Sequence, residues 1–92
     1  STLNSLYGWS ETKPTLDAVR SLTGKRSFVL ARSTFPGSGQ WAAHWLGDNA
    51  ALWLEIKKSL IGMIEFNWFG TPMVGADICA YDLIPTEEMC IR

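Results

Sequence analysis

Apolar residues recur at helical spacing in two parts of the chain. The first part begins with Pro14, which suits the first turn of a helix, and ends before Gly24, which suits the position just after a helix. Its apolar positions are Leu16, Val19 and Leu22. This pattern predicts a helix over residues 14–23.

The second part is a longer apolar stripe between Asn49, which can cap a helix, and Gly70, which can close one. The stripe consists of Leu52, Trp53, Ile56, Leu60, Met63 and Ile64. Such spacing places all six side chains on one face, and it predicts a second helix that packs against a core.

Three short apolar runs lack polar alternation: residues 28–31, 41–46 and 72–76. Runs of this kind are typical of strands covered on both faces in parallel sheets. The order helix, strand, strand, helix, strand predicts an α/β protein with a parallel sheet. Alternation along the second strand predicts that Trp45 and His44 point to opposite faces.

A charged residue follows each predicted strand: Arg32, Asp48 and Asp77. Ligands of parallel α/β proteins bind at the edge where the strands end, so these three residues are candidates for a functional site. The alternative is that Arg32 and one of the two aspartates form a structural ion pair at the rim of the sheet.

Aromatic residues are dense around these charges and suit stacking on a sugar or another flat ligand, although core packing is the alternative. They are Phe35, Trp41, His44, Trp45, Trp53 and Tyr81. An aspartic acid sheltered by rings can hold a proton at neutral pH and donate it, as glycosidic bond cleavage requires.

Composition narrows the remaining classes of function. With 92 residues and a net charge of −1, the chain forms one small core and carries no field that attracts nucleic acid or anionic lipid. No apolar stretch reaches the length of a membrane span, and no phosphate-binding loop or nucleophilic serine motif is present. Two cysteines and His44 lack the spacing of a metal site, so no metal or cofactor is expected, and His44 is interpreted as structural.

The block RSTFPGSGQWAAHWLGDN at residues 32–49, followed by GADIC at residues 75–79, resembles the catalytic domain of the α-glucosidases of glycoside hydrolase family 31. The resemblance extends over nearly the whole chain. It implies that residues 1–92 are a single segment of a (β/α)8 barrel, an α/β fold of which this segment supplies about three parallel strands with their helices.

The resemblance also assigns roles. Asp48 matches the general acid/base of a retaining α-glucosidase of the maltase, isomaltase or sucrase type, which hydrolyses terminal α-linked glucose from oligosaccharides. Arg32 matches an arginine that holds glucose hydroxyls, Asp77 an acidic group near that arginine, and Trp45 and Tyr81 aromatic residues of the same subsite. The substrate is therefore expected to be an α-glucoside oligosaccharide.

The family's nucleophilic aspartate is expected before Ser1 and its subsite histidine after Arg92, so the chain's partner is the remainder of the barrel. The start of the chain looks cut, and residues 1–92 alone are expected to be inactive. Ala80 stands where the family usually has glycine. The alternative function is a non-catalytic carbohydrate-binding or structural fragment.

Cys79 and Cys90 match a pair that forms a short disulfide in the family, two free thiols being the alternative. A disulfide implies folding in the secretory pathway, with extracellular, brush-border-type or lysosomal residence.

Overall fold

The computed structural model describes residues 2–92. In chain order its elements are α1 (Thr2–Thr23), β1 (Leu30–Ala31), β2 (Ala43–Trp45), α2 (Trp53–Trp68), β3 (Val74–Gly75) and α3 (Glu87–Ile91). A short 3-10 helix, Ser38–Gln40, precedes β2. None of the helices within residues 2–92 has the length and apolarity that a bilayer-spanning segment needs.

The three strands form one parallel sheet in the order β1-β2-β3, which confirms the predicted α/β arrangement. Leu30 lies opposite Ala43, and His44 lies opposite Val74. The strands are shorter than predicted. Trp41 does not join β2 because its N–H donates to the carbonyl of Ser38 and ends the 3-10 helix.

Helix α2 covers one face of the sheet. Gly62 permits this close approach, since a Cβ there would lie 3.0 Å from Cδ2 of Leu46. The opposite face is open, and Leu30 and Met73 are 53% and 61% exposed. Within residues 2–92 the predicted cover on both faces is therefore seen on the face that His44 occupies, while Leu30, which the register places on the other face, is left exposed.

Helix α1 begins at Thr2, so the predicted start at Pro14 is wrong. An interior proline costs a helix about 3 kcal/mol. Tertiary packing of the first half offsets this cost: the Trp9 ring lies 6.5 Å from Phe35 and 6.0 Å from Trp41, and Gly8 lets the helix approach the chain after β1.

Helix α2 begins at Trp53, with Leu52 rather than Asn49 at its cap. The carbonyl of Asn49 accepts the N–H groups of Tyr81 and Asp82, and Ala50 pairs with Asp82 in an isolated bridge. These bonds hold residues 49–51 against residues 81–82, so the helix starts only after them.

Candidate active site

All three strands end at one edge of the sheet because they are parallel. Arg32 follows β1 directly, Asp48 comes three residues after β2 ends, and Asp77 comes two residues after β3 ends. The sheet thus brings the three predicted charged residues to the edge at which α/β proteins bind ligands.

Arg32 and Asp48 face each other across the ends of β1 and β2. Nη1 of Arg32 lies 3.8 Å from Oδ2 of Asp48, and the two side chains are 59% and 42% exposed. Exposed ion pairs contribute about 0–1 kcal/mol, so this long contact adds little to the stability of the sheet rim. The aromatic shelter expected around Asp48 is not formed within residues 2–92.

Gly47 sets the approach of Arg32 to Asp48. Its φ of +102° lies in the left-handed region that favours glycine, and a Cβ there would lie 2.6 Å from both Nε and Nη2 of Arg32. The guanidinium therefore lies against the backbone of residue 47, in space that a larger residue would fill.

Trp45 contacts the arginine of this charged pair. The guanidinium carbon of Arg32 lies 5.5 Å from the centre of the Trp45 ring, within the range of a cation–π contact. At 3.8 Å, Asp48 lies beyond hydrogen-bond distance of Arg32, whose guanidinium has five N–H donors. Arg32 therefore has donors available for a ligand.

Asp77 lies beside a small cavity and takes part in none of the ion pairs within residues 2–92. Its Oδ2 is buried, as is Oδ1 of Asn49, and neither accepts a hydrogen bond from residues 2–92. Both residues line the cavity, whose volume of about 50 Å³ is large enough for water. The site thus has two buried acceptor atoms that can each accept a hydrogen bond from a ligand or water.

Tyr81 is tied to the same edge through its backbone. Its N–H donates to the carbonyl of Asn49 at 2.9 Å, while 74% of the residue is exposed. The ring is therefore available to pack on a ligand or on another part of a larger domain.

Cys79 and Cys90 form a disulfide, with their Cα atoms 4.6 Å apart. The bond joins the segment after β3 to α3. Cys79 and Ala80 have φ values of +66° and +67°, so this segment is a left-handed turn that carries side chains at two successive positions.

Three of the other predicted aromatic residues serve packing, whereas Trp53 is 52% exposed. Phe35 and Trp41 lie against Trp9. His44 is 7% exposed, stacks on Phe66 at 3.7 Å and lies 3.1 Å from Oγ1 of Thr34 through Nδ1. Burial lowers the pKa of His44, so its neutral form is favoured, as expected of a structural histidine.

Asn49 and Gly47 are site residues that the sequence interpretation did not identify, since Asn49 was assigned to a helix cap. The available signal was their position on either side of Asp48 in a Gly-Asp-Asn loop. Within residues 2–92, no group of three or more His, Cys, Asp or Glu side chains is arranged to hold a metal ion.

Comparison with known families gives a match over the whole chain. Residues 1–92 match the family described as "Glycosyl hydrolases family 31 TIM-barrel domain". The fold predicted from the sequence, a partial (β/α)8 barrel, is thereby confirmed.

Individual relatives agree with this match. The chain is 53% identical over 90 residues to intestinal sucrase-isomaltase of Suncus murinus, covering 98% of this chain and 5% of the relative. It is 52% identical over 89 residues to alpha-xylosidase 1 of Arabidopsis thaliana, covering 97% and 10%. It therefore spans a tenth or less of the length of these relatives.

The fold also matches a solved structure. The glucosidase II alpha subunit in its alpha3-Glc2-bound form superposes with a TM-score of 0.83 at 31% identity, covering 90% of this chain and 9% of that one. The three parallel strands and their helices are thus similar to a segment of a much longer chain.

Proposed function

The chain belongs to glycosyl hydrolase family 31, and on that premise we propose that it supplies the general acid/base and part of the sugar-binding subsite of a retaining α-glucosidase. Residues 1–92 form one segment of the catalytic barrel. The remainder of the barrel contributes the nucleophile and the rest of the subsite.

The pairing of Arg32 with Asp48 beside Trp45 is the observation that supports this function best. The carboxyl group of Asp48 gives its proton to the glycosidic oxygen as the bond from C1 to that oxygen breaks and the nucleophilic carboxylate of the remainder of the barrel forms a bond to C1. The Asp48 carboxylate then takes a proton from the water that attacks C1 and displaces the nucleophile. The exposure of Asp48, 42%, leaves it accessible to both partners.

Arg32 binds the sugar in this proposal. A guanidinium presents a rigid set of N–H donors that suits neighbouring hydroxyl oxygens. The Trp45 ring, which holds Arg32 at 5.5 Å, offers an apolar surface to the sugar ring. Tyr81 offers a second such surface.

Asp77 supplies an acceptor. Its Oδ2 is buried without a donor from residues 2–92, and an unsatisfied buried carboxylate oxygen is costly. A sugar hydroxyl, water or a donor from another part of the barrel satisfies it in the assembled site.

Retaining cleavage needs a second carboxyl group roughly 5 to 5.5 Å from the first. Because our proposal assigns this second group to the remainder of the barrel, we expect the isolated 92-residue chain to be inactive toward p-nitrophenyl α-glucoside. Hydrolysis by the isolated chain that disappears in Asp48→Asn would instead assign the nucleophile to a residue within it.

The experiment that tests the function is replacement of Asp48 by Asn in the full-length protein that carries this segment. We expect kcat for maltose to fall by about 10²- to 10⁴-fold, because an amide neither donates nor accepts the required proton. Asp17→Asn is the matched control, since Asp17 is an exposed residue of α1 paired with Lys13. Unchanged turnover of maltose by Asp48→Asn would remove Asp48 from this role.

The substrate has a second candidate, because one relative at 52% identity is named an alpha-xylosidase. Glucose differs from xylose by the hydroxymethyl group at C5. Comparing kcat/KM for p-nitrophenyl α-glucoside and α-xyloside separates the two, and a preference for the xyloside would contradict the glucosidase assignment.

We further propose that the protein folds in the secretory pathway and acts at the cell surface or in the lysosome. The disulfide between Cys79 and Cys90 supports this, because such bonds persist in oxidising compartments. Mass spectrometry after alkylation of the protein from its native source tests it, and alkylation of both cysteines without reduction would contradict it.

A further inference from the structure

Asp48 has few contacts of its own to fix its orientation. Its ion pair is the 3.8 Å contact with Arg32, and 42% of its side chain is exposed. Gly47, on one side of it, lacks a side chain that could anchor the loop. The position of the Asp48 carboxyl group therefore depends strongly on how the backbone is held on its other side, at Asn49.

The backbone of Asn49 is held by the segment that carries Tyr81. Its carbonyl accepts the N–H of Tyr81 at 2.9 Å and that of Asp82 at 3.2 Å. In return, the N–H of Ala51 donates to the carbonyl of Asp82 at 2.8 Å. These bonds fix the main chain after Asp48 against the segment after β3.

The side chain of Asn49 extends in another direction, toward the first turn of α2. Its Nδ2 donates to Oε2 of Glu55 at 3.4 Å, and Oε1 of Glu55 accepts from Nζ of Lys58 at 2.7 Å. The hydrogen bond from Lys58 is the main reason that the pKa of Glu55 is lowered, so Glu55 remains a charged acceptor. The amide oxygen of Asn49 is buried at the cavity that Asp77 also lines.

We propose that Asn49 is a positioning residue for the general acid/base, holding the Asp48 loop to α2 through Glu55 and to the segment after β3 through its carbonyl. This proposal rests on the function proposed for Asp48. Asn49 does not touch the reacting atoms; it restricts the directions in which the Asp48 carboxyl group can point.

Substrates with different leaving groups test this role in the full-length protein. Maltose needs proton donation to its leaving oxygen, whereas α-glucosyl fluoride releases a stable anion and needs little acid assistance. Misplacing a catalytic group by about 1 Å can cost 10²-fold, so we expect Asn49→Ala to lower kcat/KM for maltose by roughly tenfold to hundredfold. For α-glucosyl fluoride we expect a change of less than about threefold, since the step needs little help from the acid.

Asn67→Ala is the matched control. The Asn67 amide donates to the carbonyl of Met63 near the other end of α2, and the residue is exposed. We expect it to leave kcat/KM unchanged for both substrates. An equal loss on maltose and the fluoride in Asn49→Ala would indicate general damage to the site and would overturn the proposal.

Glu55→Ala removes the same contact to α2 without changing Asn49, so we expect it to lower kcat/KM for maltose more than that for α-glucosyl fluoride. An equal effect on both substrates would refute the link through Glu55 even if Asn49→Ala does not fold. Both substitutions remove the same hydrogen bond, so the double variant should lose no more activity on maltose than Asn49→Ala alone. Fully additive losses would refute the link through Glu55. Asp48→Asn, measured in the same way, distinguishes failure of this proposal from failure of the function proposed for Asp48. If Asp48→Asn lowers kcat/KM for maltose no more than kcat/KM for α-glucosyl fluoride, Asp48 is not the general acid/base.

Discussion

Two side chains four residues apart, one within β2 and the other in the loop after it, have opposite surroundings. His44 is 7% exposed, its ring is stacked on Phe66, and its Nδ1 has a partner in Thr34. Asp48 is 42% exposed and has one ion-pair partner at 3.8 Å. The chain therefore satisfies the polar group in its core and leaves hydrogen-bonding capacity at the edge of its sheet, where a ligand can use it.

Two glycines show the same difference in the backbone. A Cβ at Gly39 would overlap the carbonyl oxygen of Gly70, so Gly39 permits contact between the 3-10 helix and the end of α2. A Cβ at Gly47 would instead meet the guanidinium of Arg32. The first glycine serves packing and the second serves the site, and substitutions at the two should therefore affect different measurements.

The largest effect on folding is expected for Gly39→Ala. Neither backbone can easily move, so we expect a loss of about 2–3 kcal/mol in the free energy of unfolding. Chemical denaturation of the full-length protein measures this, together with kcat/KM of the folded fraction, which should be unchanged. A Gly39→Ala variant that is stable but inactive would contradict the assignment of Gly39 to packing and of Gly47 to the site.

Gly47→Ala should lower activity, which Gly39→Ala should not. Alanine at a φ of +102° costs roughly 1–2 kcal/mol, and the added methyl group displaces Arg32. We expect kcat/KM for maltose to fall by about tenfold to hundredfold, because each 1.4 kcal/mol of lost transition-state binding is a factor of ten. Steady-state kinetics and a melting curve check it. Unaltered kinetics would show that Arg32 does not depend on Gly47.

The smallest expected effect concerns His44 and appears only in acid. Its folded pKa lies below the ordinary value of 6.5, so the unfolded chain binds more protons as the pH falls through that value. The stability that neutral His44 contributes is present above about pH 6.5 and decreases toward the lower folded pKa.

Melting temperatures at pH 7.5 and 5.5 measure this effect in the full-length protein. His44→Asn, whose side-chain oxygen can replace Nδ1 as a partner for Thr34, should show a smaller decrease on acidification than the unsubstituted protein. An identical decrease in both would assign the acid sensitivity to other groups.

Much of the fold could be predicted because apolar periodicity and short apolar runs indicate helices and strands. The three strands and α2 follow from them, although the face of α2 that packs is not the predicted stripe, since Leu52, Trp53, Leu60 and Ile64 are exposed within residues 2–92 and Gly62 is buried. The starts of both long helices were missed for tertiary reasons: packing of Trp9 offsets the cost of Pro14 within α1, and the bonds of Asn49 to the segment after β3 delay the start of α2. Neither interaction is visible in a local pattern.

The candidate site could be predicted in part. A charge directly after a buried strand is a local signal, and it identified Arg32, Asp48 and Asp77. The dependence of Arg32 on Gly47 and the double role of Asn49 arise from contacts between loops that are distant in the sequence. Asn49 and Tyr81, for example, are joined by a hydrogen bond although other elements lie between them.

The sheet order β1-β2-β3 repeats the order of the strands in the chain, and this has a consequence for biosynthesis. Each new strand pairs with the one made just before it, so the sheet can grow at one border as the polypeptide leaves the ribosome. No earlier pair of strands has to separate to admit a later one. The edge that carries Arg32 and Asp48 therefore needs only the pairing of β1 with β2, whereas Asp77 joins it with β3 and the Cys79–Cys90 bond fixes the segment that follows.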